Sequence, residues 1–221
     1  MNAKKAAAEK AVEFIKNGMV VGLGTGSTST YAIHRIAERI AEEGLQISAV
    51  ASSASSERLA VQLGIPIVPF SKVETIDVTI DGADEIDGHF NAIKGGGGAL
   101  LREKILAAHS RKWIVIVDES KVVPVLGHFP LPIETVPFAI ELTLLAVKRL
   151  SFEAAVRKVE GLPFLTDNGN YILDCAGGPI TNPGDLASRL KTIPGIVETG
   201  LFVGMTDTVV VGKEDGTVIF L

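Results

Sequence analysis

Asp81, Asp84, Lys94, the four glycines Gly95–Gly98 and Glu103 fall within the 25 residues from Ile80 to Lys104, IDGADEIDGHFNAIKGGGGALLREK. Asp81, Asp84, Lys94 and Glu103 are groups that take up or give up protons, and Gly95–Gly98 is backbone that can close around a small anionic ligand. Asp81 and Asp84 follow the stretch Ile76-Asp77-Val78-Thr79-Ile80. They are expected just beyond a strand's carboxyl end, where open α/β sheets bind ligands. Four successive glycines lose the most entropy on ordering and do not suit the interior of a helix or strand. Close approach of backbone to ligand is the economical reading, and proton transfer on a small substrate is the chemistry it suggests.

Upstream, Met19-Val20-Val21-Gly22-Leu23 reads as a buried strand and Gly24-Thr25-Gly26-Ser27-Thr28 as a glycine-punctuated turn. The helix that follows has Ile33, Ile36, Ala37 and Ile40 on one face, and Gly44 closes it. A strand, a Gly-rich turn and a helix N-terminus together offer unpaired N–H groups to a phosphate. No Lys-Ser/Thr pair follows, so this is not a Walker loop, and Ser27 stands where a dinucleotide fingerprint needs its third glycine. Alone, the turn could equally be a tight βα connection.

Four blocks together resemble ribose-5-phosphate isomerases of type A: Gly22–Thr28 (GLGTGST), Asp81–Asp87 (DGADEID), Lys94–Lys104 (KGGGGALLREK) and Asp167–Asp174 (DNGNYILD). The resemblance covers essentially the whole chain, and its middle two blocks are the specific ones. It implies an aldose–ketose isomerisation of ribose 5-phosphate and ribulose 5-phosphate through an enediolate, in the non-oxidative pentose phosphate pathway. By the same resemblance Glu103 is the general base, and Asp81 aids ring opening and moves a proton between substrate oxygens. Asp84 is implied as a catalytic residue too, sharing with Asp81 the binding of substrate hydroxyls and the proton movement, with Asp81 favoured as the shuttle. Lys94 and the N–H groups of Gly95, Gly96, Gly97 and Gly98 stabilise the developing oxyanion, and Gly82 and Ala83 contact substrate. Thr25, Gly26, Ser27 and Thr28 hold the phosphate end, aided by Lys121 and Lys4. A homodimer or larger homo-oligomer is implied, with no cofactor and no metal.

Each residue has a plainer reading. Glu103, flanked by Arg102 and Lys104, could be a solvated helix residue or half of a weak surface ion pair. As a base it needs burial that moves its pKa toward neutrality. Asp81 and Asp84 could be turn formers, and Lys94, Lys121 and Lys4 solvated lysines. Ser52-Ser53-Ala54-Ser55-Ser56 suits a helix cap or a pocket floor. Asp81, Asp84, Glu85 and Asp87 lack EF-hand spacing, and His34, His89, His109 and His128 are too dispersed for zinc. Cys175, the one cysteine, excludes an internal disulfide, fits a reducing cytoplasm and reads as a small core residue.

The elements that must position these groups alternate in the first part of the chain. Strands are expected near Val20, Ser48–Ala51, Ile65–Val68, Val78–Ile80 and Ile114–Val117. Helices are expected after Ser27, over Glu57–Leu63 and over Ala99–His109. That order implies a Rossmann-like, mainly parallel sheet covered on both faces. After Lys121 the order becomes βαββαβ: Leu131–Val136, Phe138–Leu150, Ala154–Val159, a turn at Asp167–Asn170, Tyr171–Cys175, Gly184–Ile193 and Ile196–Thr199. This is a ferredoxin-like α+β insertion. The expected division is 1–127 plus 201–221 for the catalytic domain and 128–200 for the small one. A net charge of −5 argues against nucleic acid as partner, and no stretch has the apolar length of a signal peptide core or membrane span. Two rivals remain: an amino-sugar phosphate deaminase or coenzyme A transferase of related fold, and a non-enzymatic sugar-phosphate sensor. The deaminase would need a catalytic histidine near the acidic cluster, for which His89 is the candidate. The sensor would need a helix-turn-helix, for which the roughly 18 residues before the first strand leave too little chain.

Overall fold

The strand segments VVGL and WIVIVD are near-continuous apolar runs, the composition of parallel strands covered on both faces, and both are buried almost throughout. In the computed structural model, which describes residues 2–221, they are inner strands of a six-stranded sheet. Its spatial order is Val218–Phe220, Thr208–Gly212, Trp113–Asp118, Val78–Gly82, Val20–Leu23, Ser48–Ala51. All pairs are parallel except the antiparallel edge Val218–Phe220. Residues 2–83, 102–122 and 205–221 make up this unit. The helix Ala3–Val12 packs on the sheet through Ala7, Ala8, Ala11 and Val12, small residues that let its backbone approach closely, beside Ile33 and Ile36 of the helix Ser27–Glu43. Each fully buried aliphatic side chain contributes about 1.5–3 kcal/mol.

Residues 84–101 and 123–204 form the second unit. Its antiparallel sheet runs Ile196–Thr199, Leu131–Thr135, Tyr171–Ala176, Glu153–Val156. With the helices Ile140–Lys148 and Pro183–Lys191 this gives the ferredoxin-like order. Its core gathers Ile133, Leu173, Val147, Leu190 and Cys175. A second small sheet, Leu201–Phe202, Ala92–Ile93, Glu85–Ile86, belongs to the same unit. Because that sheet ties residues 85–93 to 201–202, the residues 84–101, 123–127 and 201–204 group with the second unit, not with the first as the sequence pattern divides them.

Other elements depart from expectation for local reasons. Ile65–Val68 is not a strand: it makes one isolated parallel bridge, Ile67 to Ala49, because Pro66 and Pro69 supply no N–H for a ladder. The expected strand Ala154–Val159 divides into Glu153–Val156 and Lys158–Val159. The second piece turns at Glu160-Gly161, both at positive φ (53° and 82°), to pair with Leu162–Pro163, the backbone signature of a two-residue hairpin turn. The helix expected from Glu57 begins at Ala54, capped by Ser53, whose hydroxyl accepts from Ser56 N–H at 3.1 Å.

Candidate active site

In the first unit the strands Val20–Leu23 and Val78–Gly82 are neighbours whose chain connections leave in opposite directions, one toward Ser48–Ala51 and the other toward Trp113–Asp118. That is a topological switch point, and its carboxyl-end crevice is the general ligand position of open α/β sheets. The Gly24–Thr28 turn and Asp81 lie there. Asp81 pairs in register with Val115, so it occupies the strand's last residues and not the loop beyond it. It is fully buried. Its Oδ1 accepts from Thr25 N–H at 3.0 Å, Ser29 Oγ at 3.1 Å and Gly82 N–H at 2.8 Å, which fixes the carboxylate plane. Gly24 is required beside it: a Cβ there would lie 2.2 Å from Asp81 Oδ1 and 2.6 Å from its Cα.

Thr25 is held by the protein at both of its donors. Its N–H serves Asp81, and its hydroxyl sits among Ser52 (2.7 Å), Ser53 (2.9 Å) and Ser56 (3.3 Å). Ser56 in turn donates to Gly24 O at 2.7 Å. The serine cluster therefore caps a helix and also braces the glycine turn. The helix Ser27–Glu43 starts at Gly26, at φ 103°, with no side-chain cap and no acidic residue in its first turn. Lys4 Nζ reaches Ser27 Oγ at 3.2 Å. These two residues line a cleft of about 830 Å³ with Tyr31 and His34, and with the carboxylates of Asp118, Glu119 and Glu214. Lys121 ends the short 3₁₀ turn Glu119–Lys121 directly after the strand Trp113–Asp118. Glu103 lies in the first turn of the helix Leu100–Ala108 and is buried at 4% exposure, not solvated.

In the second unit Lys94 follows the strand Ala92–Ile93, donates its N–H to Gly200 O at 2.9 Å, and is 2% exposed. Its Nζ stands 5.7 Å from the Phe202 ring centroid, a cation–π approach. Asp84 Oδ2 accepts the Gly96 N–H at 2.8 Å, and a Cβ at Gly96 would meet Asp84 Oδ1 at 2.6 Å. Gly95 and Gly98 take φ of +105° and +81°, and Phe164 fills the space where a Gly98 Cβ would project. Arg157 donates to Gly95 O and Gly96 O and pairs with Asp174.

Sequence reasoning missed Ser29 and Arg157. Ser29 carries a weak signal, one helical turn beyond Thr25. Arg157 carries none, since its partners lie 61 and 62 residues away. Glu85 and Asp87, within the acidic block, are structural. Glu85 accepts from the Gly127 and Phe129 N–H groups, and Asp87 from the N–H groups of His89 and Asn91. Among the described residues, no group of three His, Cys, Asp or Glu is placed to hold a metal ion, and no helix is long and apolar enough to cross a membrane. Burial first, and the Asp174 charge second, push the Cys175 thiol up to about 12. That keeps it protonated, as a core residue.

Comparison with known proteins gives the family. Residues 48–216 match the family model for ribose 5-phosphate isomerase A (phosphoriboisomerase A). The chain is 51% identical over 212 residues to ribose-5-phosphate isomerase A of Sphingopyxis alaskensis, covering 96% of this chain and 92% of that protein. It is 48% identical over 217 residues to the Bacillus mycoides protein of the same name, covering 98% of each. A solved D-ribose-5-phosphate isomerase in complex with phospho-erythronic acid superposes with a TM-score of 0.96 at 40% identity, covering 100% of this chain and 99% of that one. The chain belongs to the ribose-5-phosphate isomerase A family.

Proposed function

We propose a division of roles among these residues for the family's activity, the interconversion of D-ribose 5-phosphate and D-ribulose 5-phosphate. Asp81 assists ring opening. Glu103 then takes the proton from carbon 2 of the open aldose, the electrons form a double bond between carbons 1 and 2, and the carbonyl oxygen becomes an oxyanion. Lys94 and N–H groups of the glycine run stabilise that oxyanion. Preorganised donors of this kind typically contribute about 3–4 kcal/mol each. Asp81 moves the hydroxyl proton from oxygen 2 to oxygen 1. Glu103 returns its proton to carbon 1 as carbon 2 becomes the carbonyl, so atoms and charge balance with no cofactor.

The observation that carries this reading is the Gly24–Thr28 turn, which serves two ends of a sugar phosphate at once. It fixes Asp81 through the Thr25 N–H, and it opens a helix whose N-terminus has no side-chain cap, with Lys4 at Ser27. An uncapped helix N-terminus with a lysine beside it suits a phosphate. Lys121, at the end of the short turn whose Glu119 and Ser120 line the same cleft, is the second cation assigned to the phosphate, and Asp84, with Gly82 and Ala83, addresses the sugar hydroxyls. His89 is exposed on a turn, with its N–H on Asp87, which disfavours the deaminase. The enzyme works in the cytoplasm as a homodimer or larger homo-oligomer. Exposed Phe138, Leu142 and Leu145, at and just ahead of the helix Ile140–Lys148, support self-association. Light scattering checks the oligomer. Assaying the purified protein on ribose 5-phosphate and glucosamine 6-phosphate checks the activity: ketose forms from the first, and no ammonia is released from the second. Ammonia release without ribulose 5-phosphate formation overturns the reading.

A further inference from the structure

Arg157 is engaged on every side. Its Nε and Nη2 form a two-pronged pair with Asp174 at 2.9 and 2.5 Å, the geometry in which arginine–carboxylate contacts are strongest. Its Nη1 donates to Gly95 O at 2.9 Å and Gly96 O at 3.0 Å. The guanidinium lies 5.9 Å from the centroid of Phe164, the ring that packs against Gly98. The backbone of Arg157 is held as well: its N–H donates to Ile172 O at 2.8 Å and its carbonyl accepts from Phe164 N–H at 2.9 Å. An arginine this constrained does not serve solubility.

Two of those contacts determine where other groups point. In a trans peptide the carbonyl of one residue and the N–H of the next are antiparallel, and the described chain has no cis bonds. With Gly95 O on Arg157, the Gly96 N–H must face away from it, and it meets Asp84 Oδ2 at 2.8 Å. With Gly96 O on the same nitrogen, the Gly97 N–H is likewise directed away from Arg157. Glycine peptides have no Cβ to oppose rotation, so an unrestrained Gly95–Gly98 run would populate flipped peptides that present carbonyls instead of donors.

We infer that Arg157, clamped by Asp174, is a positioning residue that sets the direction of the 95–96 and 96–97 peptides and, through the Gly96 N–H, the rotamer of Asp84. This rests on the proposed role of the glycine run in oxyanion stabilisation. Arg157 touches no reacting atom. It acts by turning the Gly97 N–H, not a carbonyl, to the side where negative charge develops, while the Gly96 N–H holds Asp84.

The test combines kinetics with a measurement that needs no turnover. Arg157→Lys keeps the charge but loses the fork. Asp174→Asn keeps the arginine but releases its clamp, and provides a second variant should the first fold poorly. In both, kcat for ribose 5-phosphate falls, roughly 10²-fold for Arg157→Lys as expected for ångström-scale misplacement, while KM changes less than about threefold. Inhibition by a phosphorylated aldonic acid, which places a carboxylate where the enediolate forms, weakens with kcat, and inhibition by inorganic phosphate does not. In ¹⁵N-glycine-labelled protein, the Gly96 amide loses protection from hydrogen exchange in both variants while core amides keep theirs. Wild-type kcat in both variants overturns the inference, as does unchanged Gly96 protection. Wild-type protein inactive on ribose 5-phosphate would refute the parent reading, and the exchange result would still decide whether Arg157 orients the peptides.

Discussion

Glu103→Gln keeps the size of the side chain and removes its basicity, so it separates a general base from a bystander. Turnover is expected to fall by roughly 10²–10⁴ with KM nearly unchanged. Steady-state kinetics on folded variant checks this, and near-normal turnover would make Glu103 a buried structural acid. Charge gives a second contrast. Lys94→Ala will mainly lower kcat, because its partner charge appears only on the way to the enediolate. Lys121→Ala will mainly raise KM, because the phosphate is charged throughout. Matching defects in the two variants would show that the lysines are misplaced in this scheme. At this scale, residue types close in sequence were legible: Asp81, Asp84, Lys94 and Glu103 crowd one 25-residue stretch. Their supports were not. Ser29 reaches Asp81 across 52 positions and Arg157 reaches Gly95 across 62, distances over which spacing carries no information. Thr25 stands out in the sequence only as part of the glycine turn; its engagement by Asp81 and three serines has no sequence signal.

Elements with a period or a breaker of their own could be read directly: the strands Val20–Leu23 and Ser48–Ala51, the helix Ser27–Glu43 closed by Gly44 at φ 69°, and the ferredoxin-like series. Two-residue strands such as Glu85–Ile86 and Ala92–Ile93 could not, because they exist only through their partners. Proline-flanked Ile65–Val68 misled because its apolar residues suit a strand and its missing donors do not. The Gly24 turn yields a prediction at this scale. Gly24→Ala forces a Cβ to within 2.6 Å of the Asp81 Cα, so backbone must move. We expect a loss of about 1–3 kcal/mol in stability and at least a tenfold drop in kcat, since Asp81 moves with the turn. Gly88→Ala, where an added Cβ meets nothing within 4 Å, is the control and should stay within about 0.5 kcal/mol. Urea midpoints and kinetics for the pair check both.

For the molecule as a whole, burial of Cys175 in the second unit makes its thiol a reporter of opening. With the thiol pushed up to about 12, only about one molecule in ten thousand carries the reactive thiolate at pH 8. Native protein should therefore resist iodoacetamide for hours and label promptly in denaturant. Fast native labelling would show that this core opens locally. The central claim is a proton carried between two carbons by Glu103, with no hydride shift and no metal, and isomerisation in deuterated water tests it most directly. A protonated base next to an enediolate can exchange with solvent before returning its proton. Incorporation is expected to be partial, since a water-poor site lets some protons transfer internally. NMR at early conversion, on chelator-treated enzyme, should find deuterium on carbon 1 of the ribulose 5-phosphate formed, and Glu103→Gln protein should show none above background. Full turnover without label, strictly dependent on an added divalent metal and intact in the Glu103→Gln protein, would contradict the account.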